Sequence, residues 1–123
     1  MAVSRVEQLD VWQIAMDIAT RVYDLTGRAP FREDFGLRNQ LQRSAVSIAA
    51  NIAEGFGRFG DKEFGRFILI ARGSCFEVVT LIKLSIKIGY CSHEETDALI
   101  DLSEKEIAKL TALRIHLVPK SPR

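Results

Sequence analysis

The chain has few of the residues that interrupt helices or form covalent frameworks. Its 123 residues include three prolines, and none lies between Pro30 and Pro119, so a long region is free to form helices. The two cysteines, Cys75 and Cys91, have neither disulfide nor metal-site spacing. The first residues also lack the apolar core of a signal peptide. These absences predict a cytoplasmic protein with reduced thiols.

The chain also has almost no excess of positive over negative charge. The formal net charge is +1, which excludes a global field that would draw the chain to nucleic acid or to a membrane surface. Hydrophobic residues make up 47% and charged residues 27% of the chain, as in ordinary globular proteins. The most apolar segment, around residues 67–88, is interrupted by charges at Arg72, Glu77, Lys83 and Lys87. We therefore predict no membrane span.

Helical periodicity runs through nearly the whole chain, and no long segment alternates with a period of two. The clearest stripe is Leu37, Leu41, Ala45, Ile48 and Ile52. Gly55 and Gly57 are placed to end that helix, Asp61 to cap the next helix, and Ser92 with Glu95 to form a capping box. We predict one all-α domain, an antiparallel up-down-up-down four-helix bundle, with helices at about 9–26, 36–54, 61–88 and 92–117 and a flexible tail at 119–123.

Helices 2 and 3 carry more apolar surface than one bundle core needs. The second row on helix 2 consists of Val46, Ala49, Ala53 and Phe56. Exposing such rows would leave an apolar patch larger than monomers usually tolerate, so we predict a homo-oligomer joined through helices 2 and 3. The alternative is a monomer whose central helices are more enclosed than the pattern indicates.

One ion pair is predicted across the hairpin of helices 2 and 3. With the turn centred near Arg58, Glu77 falls opposite Asn39 and Gln40, one helical turn from Arg43. We predict an Arg43–Glu77 pair, whose disruption would cost about 3–5 kcal/mol if it were largely buried.

The chain resembles a known family through the run Phe35-Gly-Leu-x-x-Gln40-Leu-x-Arg43-x-Ala45-x-Ser47-Ile48-x-x-Asn51-Ile-Ala-Glu54-Gly55, followed by Arg58 and Gly73-Ser74-x-x-Glu77. It is similar to the four-helix-bundle proteins encoded in intervening sequences of bacterial 23S ribosomal RNA genes. The resemblance implies a ring-like homopentamer. It also implies kinship with accessory subunits of diversity-generating retroelements, which bind a reverse transcriptase and nucleic acid through a basic surface.

The turn between helices 2 and 3 is the predicted binding region. It combines basic and aromatic residues, a pairing that suits phosphates and unstacked bases, at Arg58, Lys62, Arg66, Phe56 and Phe59. We predict a partner that is RNA, DNA or a nucleic-acid enzyme. The alternative is a solvated face whose charges pair locally, Arg58 with Glu54 and Arg66 with Glu63, in a protein-interaction adaptor that binds no nucleic acid.

The remaining polar residues of helices 2 and 3 are predicted to be structural: Arg43, Asn51, Glu54, Ser74 and Glu77. No catalytic, cofactor or metal site is predicted, because di-iron bundles need Glu-x-x-His motifs that are lacking here. Glu106 interrupts the leucine stripe of helix 4, which is formed by Leu99, Leu102, Leu110, Leu113 and Leu117. It should either pair with an arginine or lie at the rim of the core.

Overall fold

The computed structural model describes residues 3–119, and that part of the chain contains four long α-helices and no strand. The helices are α1 (Asp10–Thr26), α2 (Phe35–Phe56), α3 (Asp61–Lys87) and α4 (His93–Leu117). Their bounds differ from the predicted ones by at most two residues. Of the predicted flexible tail, residues 120–123 lie outside the described residues.

Two helix starts have the caps that local chemistry favours. Asp34 precedes α2, and its side chain accepts a hydrogen bond from the backbone N–H of Leu37 at 3.1 Å. The capping box at the start of α4 is confirmed, because Ser92 accepts from the Glu95 N–H at 3.2 Å while the Ser92 N–H donates to the Glu95 carboxylate at 2.7 Å. These bonds satisfy backbone groups that the helices themselves leave free.

Gly57 is confirmed as the C-cap of α2, although with a φ of −79° and not in the left-handed conformation, whereas Gly55 and Asp61 act differently from the prediction. Asp61 is the first residue of α3, and the residue before it, Gly60, adopts a positive φ of 85°. Gly55 does not end α2, which continues to Phe56. A methyl group at Gly55 would lie 2.6 Å from Cβ of Phe67, so this glycine permits close helix contact.

The core is enclosed by α1, α2, α3 and α4 in turn, with α4 closing back on α1. Within the described residues, no Cα atom of α1 lies within 8 Å of one in α3, and the same holds for α2 and α4. The α2 stripe is confirmed in the core at four of its five positions, since Leu41, Ala45, Ile48 and Ile52 are completely buried while Leu37 is half-buried. Their burial against both neighbouring helices supplies the hydrophobic stabilisation that short isolated helices lack.

No helix of the described chain combines the length and the apolar character that spanning a bilayer requires.

Candidate binding surfaces of helices α2 and α3

The α2–α3 tip, defined as residues 54–66, presents one free aromatic ring. Phe59 is fully exposed at the turn. Phe56 instead packs edge-on against Phe64, with ring centroids 6.0 Å apart, and is half-buried. Of the two predicted stacking residues, Phe59 is therefore the one whose face is accessible to a partner.

The tip's two arginines are held in local contacts. Arg58 pairs with Glu54 at 2.9 Å and Arg66 pairs with Glu63 at 3.2 Å, as the alternative interpretation predicts. Both guanidinium groups also lie over the ring of Phe67, at 5.3 and 4.8 Å from its centroid. Phe67 was missed in the sequence, although an aromatic residue directly after Arg66 was a signal for this contact.

Lys62 is exposed and takes part in no ion pair within 4 Å among residues 3–119. The tip as a whole has no net charge, since three basic residues are matched by three acidic ones, Glu54, Asp61 and Glu63. Exposed pairs such as these contribute little to stability. The arginines can therefore exchange a carboxylate for another anion at small cost.

A polar cleft of about 590 Å³ lies between the first half of α2 and the middle of α3. It is lined by Gly36, Asn39, Gln40, Arg43, Ser44, Ser47, Ser74 and Glu77. The Ser47 and Ser74 hydroxyls meet at 2.9 Å, and the Asn51 amide donates to the Ser47 hydroxyl at 2.9 Å. Ser47 thus links the two predicted polar residues, Asn51 and Ser74, which form no hydrogen bond with each other.

The predicted Arg43–Glu77 ion pair is wrong. Both residues line the cleft, but no such pair within 4 Å occurs in the described part of the chain. The Glu77 carboxylate instead accepts a hydrogen bond from the Gln40 amide at 3.2 Å. Gln40 lies directly opposite Glu77, whereas Arg43 is one turn away and exposed to solvent, where its charge is hydrated at no cost.

The outer face of α3, together with Ile88 directly after its last residue, carries large apolar side chains that the bundle leaves partly uncovered. They are between 41 and 48% exposed, and they are Leu69, Ile70, Phe76, Leu84 and Ile88. On α2, Val46 is 45% exposed, whereas Ala49 of the same predicted row is buried and Phe56 is half-buried. The surplus apolar surface therefore belongs mainly to α3.

Glu106 lies neither at the rim nor beside an arginine. Its side chain is fully buried in α4, and both carboxyl oxygens lack a hydrogen-bond partner among residues 3–119. Burial raises its pKa to about 8, and the nearby charge of Asp10 adds to the rise. The break in the leucine stripe marked Glu106 in the sequence, but the helical period alone did not show that α4 turns this residue into the core.

Comparison with known proteins identifies the family of this chain. The model of the 23S rRNA-intervening sequence protein family matches residues 7–112. The chain belongs to this family. Among curated proteins, no match to the chain is found.

The fold is shared with solved structures. One of them is the crystal structure of a protein of unknown function from the S23 ribosomal protein family of Bacteroides thetaiotaomicron VPI-5482. The two chains are 22% identical and superpose with a TM-score of 0.77, over 85% of this chain and 97% of the other. The likeness shows that the two chains share a fold and leaves function to be argued from the surfaces.

Proposed function

We propose that this 23S rRNA-intervening sequence family protein is a non-enzymatic, self-associating scaffold of the cytoplasm whose α2–α3 tip binds RNA or single-stranded DNA. The observation that carries the proposal is the joint exposure of Phe59 and Lys62 beside the weakly paired Arg58 and Arg66. The proposal includes the antiparallel up-down-up-down topology. Contacts between Gln40 and Glu77 and between Ser47 and Ser74 support opposite directions for α2 and α3.

Self-association is supported by the outer face of α3. Its five apolar side chains repeat along one side of a helix and are each less than half exposed, so a second copy could cover them without rearrangement. Burying such a surface against another copy is favourable because it removes apolar area from water. We propose the ring of five subunits that the family resemblance implies, with α3 at the contacts.

Sedimentation equilibrium and native mass spectrometry test this part. Wild type should be a pentamer at micromolar concentration, and Phe76→Glu/Leu84→Glu should be monomeric because each carboxylate would be desolvated at the contact. The matched control is Met16→Glu/Tyr23→Glu, which alters two similarly exposed apolar residues of α1 and should leave the assembly intact. A monomeric wild type would overturn the proposed assembly.

Nucleic-acid binding at the tip follows from the exchange of ion partners. A phosphate can replace Glu54 at Arg58 and Glu63 at Arg66, since both carboxylates are exposed and can return to water. A base can stack on Phe59, which would stabilise the complex by about 1–3 kcal/mol. Repetition of the tip around an oligomer would raise the avidity of a weak single site.

The test is the affinity for structured RNA and single-stranded DNA across a salt series. We expect micromolar binding that weakens steeply with salt, a large loss in Arg58→Glu/Lys62→Glu, and a smaller loss with unchanged salt slope in Phe59→Ala. The charge-matched control, Arg21→Glu/Arg32→Glu, alters exposed arginines outside the tip and should bind nearly as wild type. Equal losses in the two charge variants would show that the tip is not the site.

The second candidate is a protein-interaction adaptor, favoured by the zero net charge of the tip and the local pairing of its arginines. Such a tip would dock a protein through Phe59 without needing phosphate. Absence of nucleic-acid binding at low salt would overturn the leading proposal. Loss of a defined protein partner in Phe59→Ala, but not in Arg58→Glu/Lys62→Glu, would then support the adaptor.

A further inference from the structure

The buried stripe of α4 contains more polar residues than a bundle core usually holds. Its members are Thr96, Leu99, Ser103, Glu106 and Leu110. The two hydroxyls are satisfied within the helix, since Thr96 donates to the Ser92 carbonyl and Ser103 to the Leu99 carbonyl, each at 2.8 Å. The carboxyl group of Glu106 is the exception, because neither oxygen has a partner in the described chain.

The charged and titratable groups that act on Glu106 come from each helix packed around it. α1 contributes Asp10, α3 contributes Cys75, and α4 itself contributes Lys109. The Cys75 thiol donates to the Ser103 carbonyl at 3.2 Å, so its hydrogen is not available to Glu106. Lys109 is likewise occupied, since its ammonium group lies 2.7 Å from the Asp10 carboxylate.

Lys109 is placed to reach either carboxylate. It follows Glu106 by three residues, a spacing that brings two side chains to the same side of a helix. Its bridge to Asp10 is partly exposed and joins α4 to the first turn of α1. A long lysine side chain can therefore leave Asp10 for Glu106 without moving the α4 backbone.

The first turn of α1 is the weakest neighbour of this cluster. No side chain caps the start of α1 at Leu9, and only a short 3-10 turn at Val6–Gln8 precedes it. α4 also packs less extensively on α1 than on α3. Separation at the α1–α4 contact thus disturbs fewer interactions than separation at the α3–α4 contact.

We propose that Glu106 and Lys109 form a proton-dependent switch at the α1–α4 contact. When Glu106 holds a proton, Lys109 bridges to Asp10 and keeps the first turn of α1 on α4. When Glu106 releases that proton to solvent, its carboxylate draws Lys109 away from Asp10, and the first turn of α1 opens to hydrate the new charge. The protonation state of Glu106 therefore controls the contact between α1 and α4.

The pH range follows from the two states. In the closed state burial raises the pKa of Glu106 to about 8, whereas in the open state a hydrated carboxyl group returns towards its ordinary pKa of 4.5. Opening therefore releases a proton between these values. The ratio of open to closed molecules should rise by up to about tenfold per pH unit from pH 4.5 to 8 and level off above pH 8.

Hydrogen exchange of the first-turn amides of α1, measured from pH 5 to 9 and corrected for intrinsic exchange rates, tests the switch. Wild type should lose protection there by up to about tenfold per pH unit, while Glu106→Gln, which cannot release a proton, should show no such slope. The control Glu104→Gln alters an exposed carboxylate of the same helix and should retain the wild-type slope. Equal slopes in wild type and Glu106→Gln would overturn the proposal.

A second measurement keeps the proposal testable if Glu106→Gln folds poorly. Carbon-13 spectra of wild type labelled at the glutamate carboxyl groups should show one carboxyl that titrates near pH 8, together with loss of first-turn protection over the range below it. The Asp10→Asn variant, which lacks the bridge, should already have weak first-turn protection at pH 5. Titration of every glutamate below pH 6, or pH-dependent opening confined to α2 and α3, would contradict the switch.

Discussion

The two contacts of α3 with its neighbours differ in how one group of polar side chains is satisfied. Towards α2, Ser47, Asn51 and Ser74 bond to one another beside the open polar cleft. Towards α4, Glu106 lies in the centre of the core with no partner among the described residues. Both contacts also have a glycine at a close approach: Gly55 of α2 meets α3, and Gly65 of α3 meets α4.

The difference shows how solvent access determines what a polar side chain costs. Half-buried hydroxyl and amide groups can bond to each other or to water, so the α2–α3 contact tolerates them without ionic consequences. A carboxyl group closed off from water avoids the larger penalty of a buried charge by keeping its proton. The packing around α4 is therefore the part of the core whose stability depends on pH, and four predictions test the contrast.

The largest effect is expected from Glu106→Leu. The folded chain holds a proton on Glu106, whose pKa is raised to about 8, and the unfolded chain releases it above about pH 4.5. Wild-type stability should therefore fall as the pH rises from 4.5 to 8. Glu106→Leu should raise the free energy of unfolding by about 2–4 kcal/mol at pH 8 and by less at pH 5. Urea unfolding at several pH values measures this, and a pH-independent difference would contradict it.

Gly55→Ala should have the next largest effect, and it should lower the free energy of unfolding instead of raising it. The added methyl group would lie 2.6 Å from Cβ of Phe67 and 3.3 Å from the Phe64 carbonyl, so we expect a loss of about 1–3 kcal/mol in unfolding free energy. Gly73→Ala is the matched control, because nothing lies within 4 Å of a methyl group there. That change should stabilise α3 by about 0.5–1 kcal/mol. Urea midpoints that shift in the same direction would show that helix propensity, not contact, governs both sites.

The hydroxyl pair of the α2–α3 contact should have a smaller effect. Ser74→Ala removes one hydrogen bond and should cost about 0.5–1.5 kcal/mol. Ser47→Ala should cost more, because it removes the hydroxyl that bonds to Ser74 and one of the two acceptors of the Asn51 amide. A double-mutant cycle of thermal unfolding measures the coupling. Purely additive losses would mean that the hydroxyls bond to water instead of to each other.

Arg43→Ala should have the smallest effect. Since Arg43 is exposed and forms no ion pair with Glu77, its removal should change the unfolding free energy by less than about 0.5 kcal/mol. Gln40→Ala, which removes the actual partner of Glu77, is the comparison variant. A loss above about 2 kcal/mol for Arg43→Ala, measured at fixed protein concentration, would indicate that another copy supplies its carboxylate.

The candidate binding surface was predictable in part. The tip's residue types and the local pairs Arg58–Glu54 and Arg66–Glu63 follow from helical spacing. That Phe59 is free while Phe56 packs on Phe64 depends on where α3 begins relative to the end of α2. The turn geometry, which involves the positive φ of Gly60, determines that difference.

The leucine stripe of α4 shows the limit of periodicity. Leu99 and Leu110 are buried as predicted, but Leu102, Leu113 and Leu117 are only half-buried. The helix is rotated so that Ser103 and Glu106 face the core instead. Both orientations contain the same helical period, so the choice between them came from packing against α1 and α3.

By itself, the sequence determined the four helices, their ends to within two residues, the α2 core stripe and the capping box of α4. These features depend on patterns and interactions between residues at most four positions apart, and such patterns are visible in the sequence. Only the tertiary structure decided that Gln40 and not Arg43 meets Glu77, that Gly55 admits Phe67, and that Glu106 is closed off from water. Those outcomes depend on the rotation and offset of whole helices, which are set by the close packing of all four together.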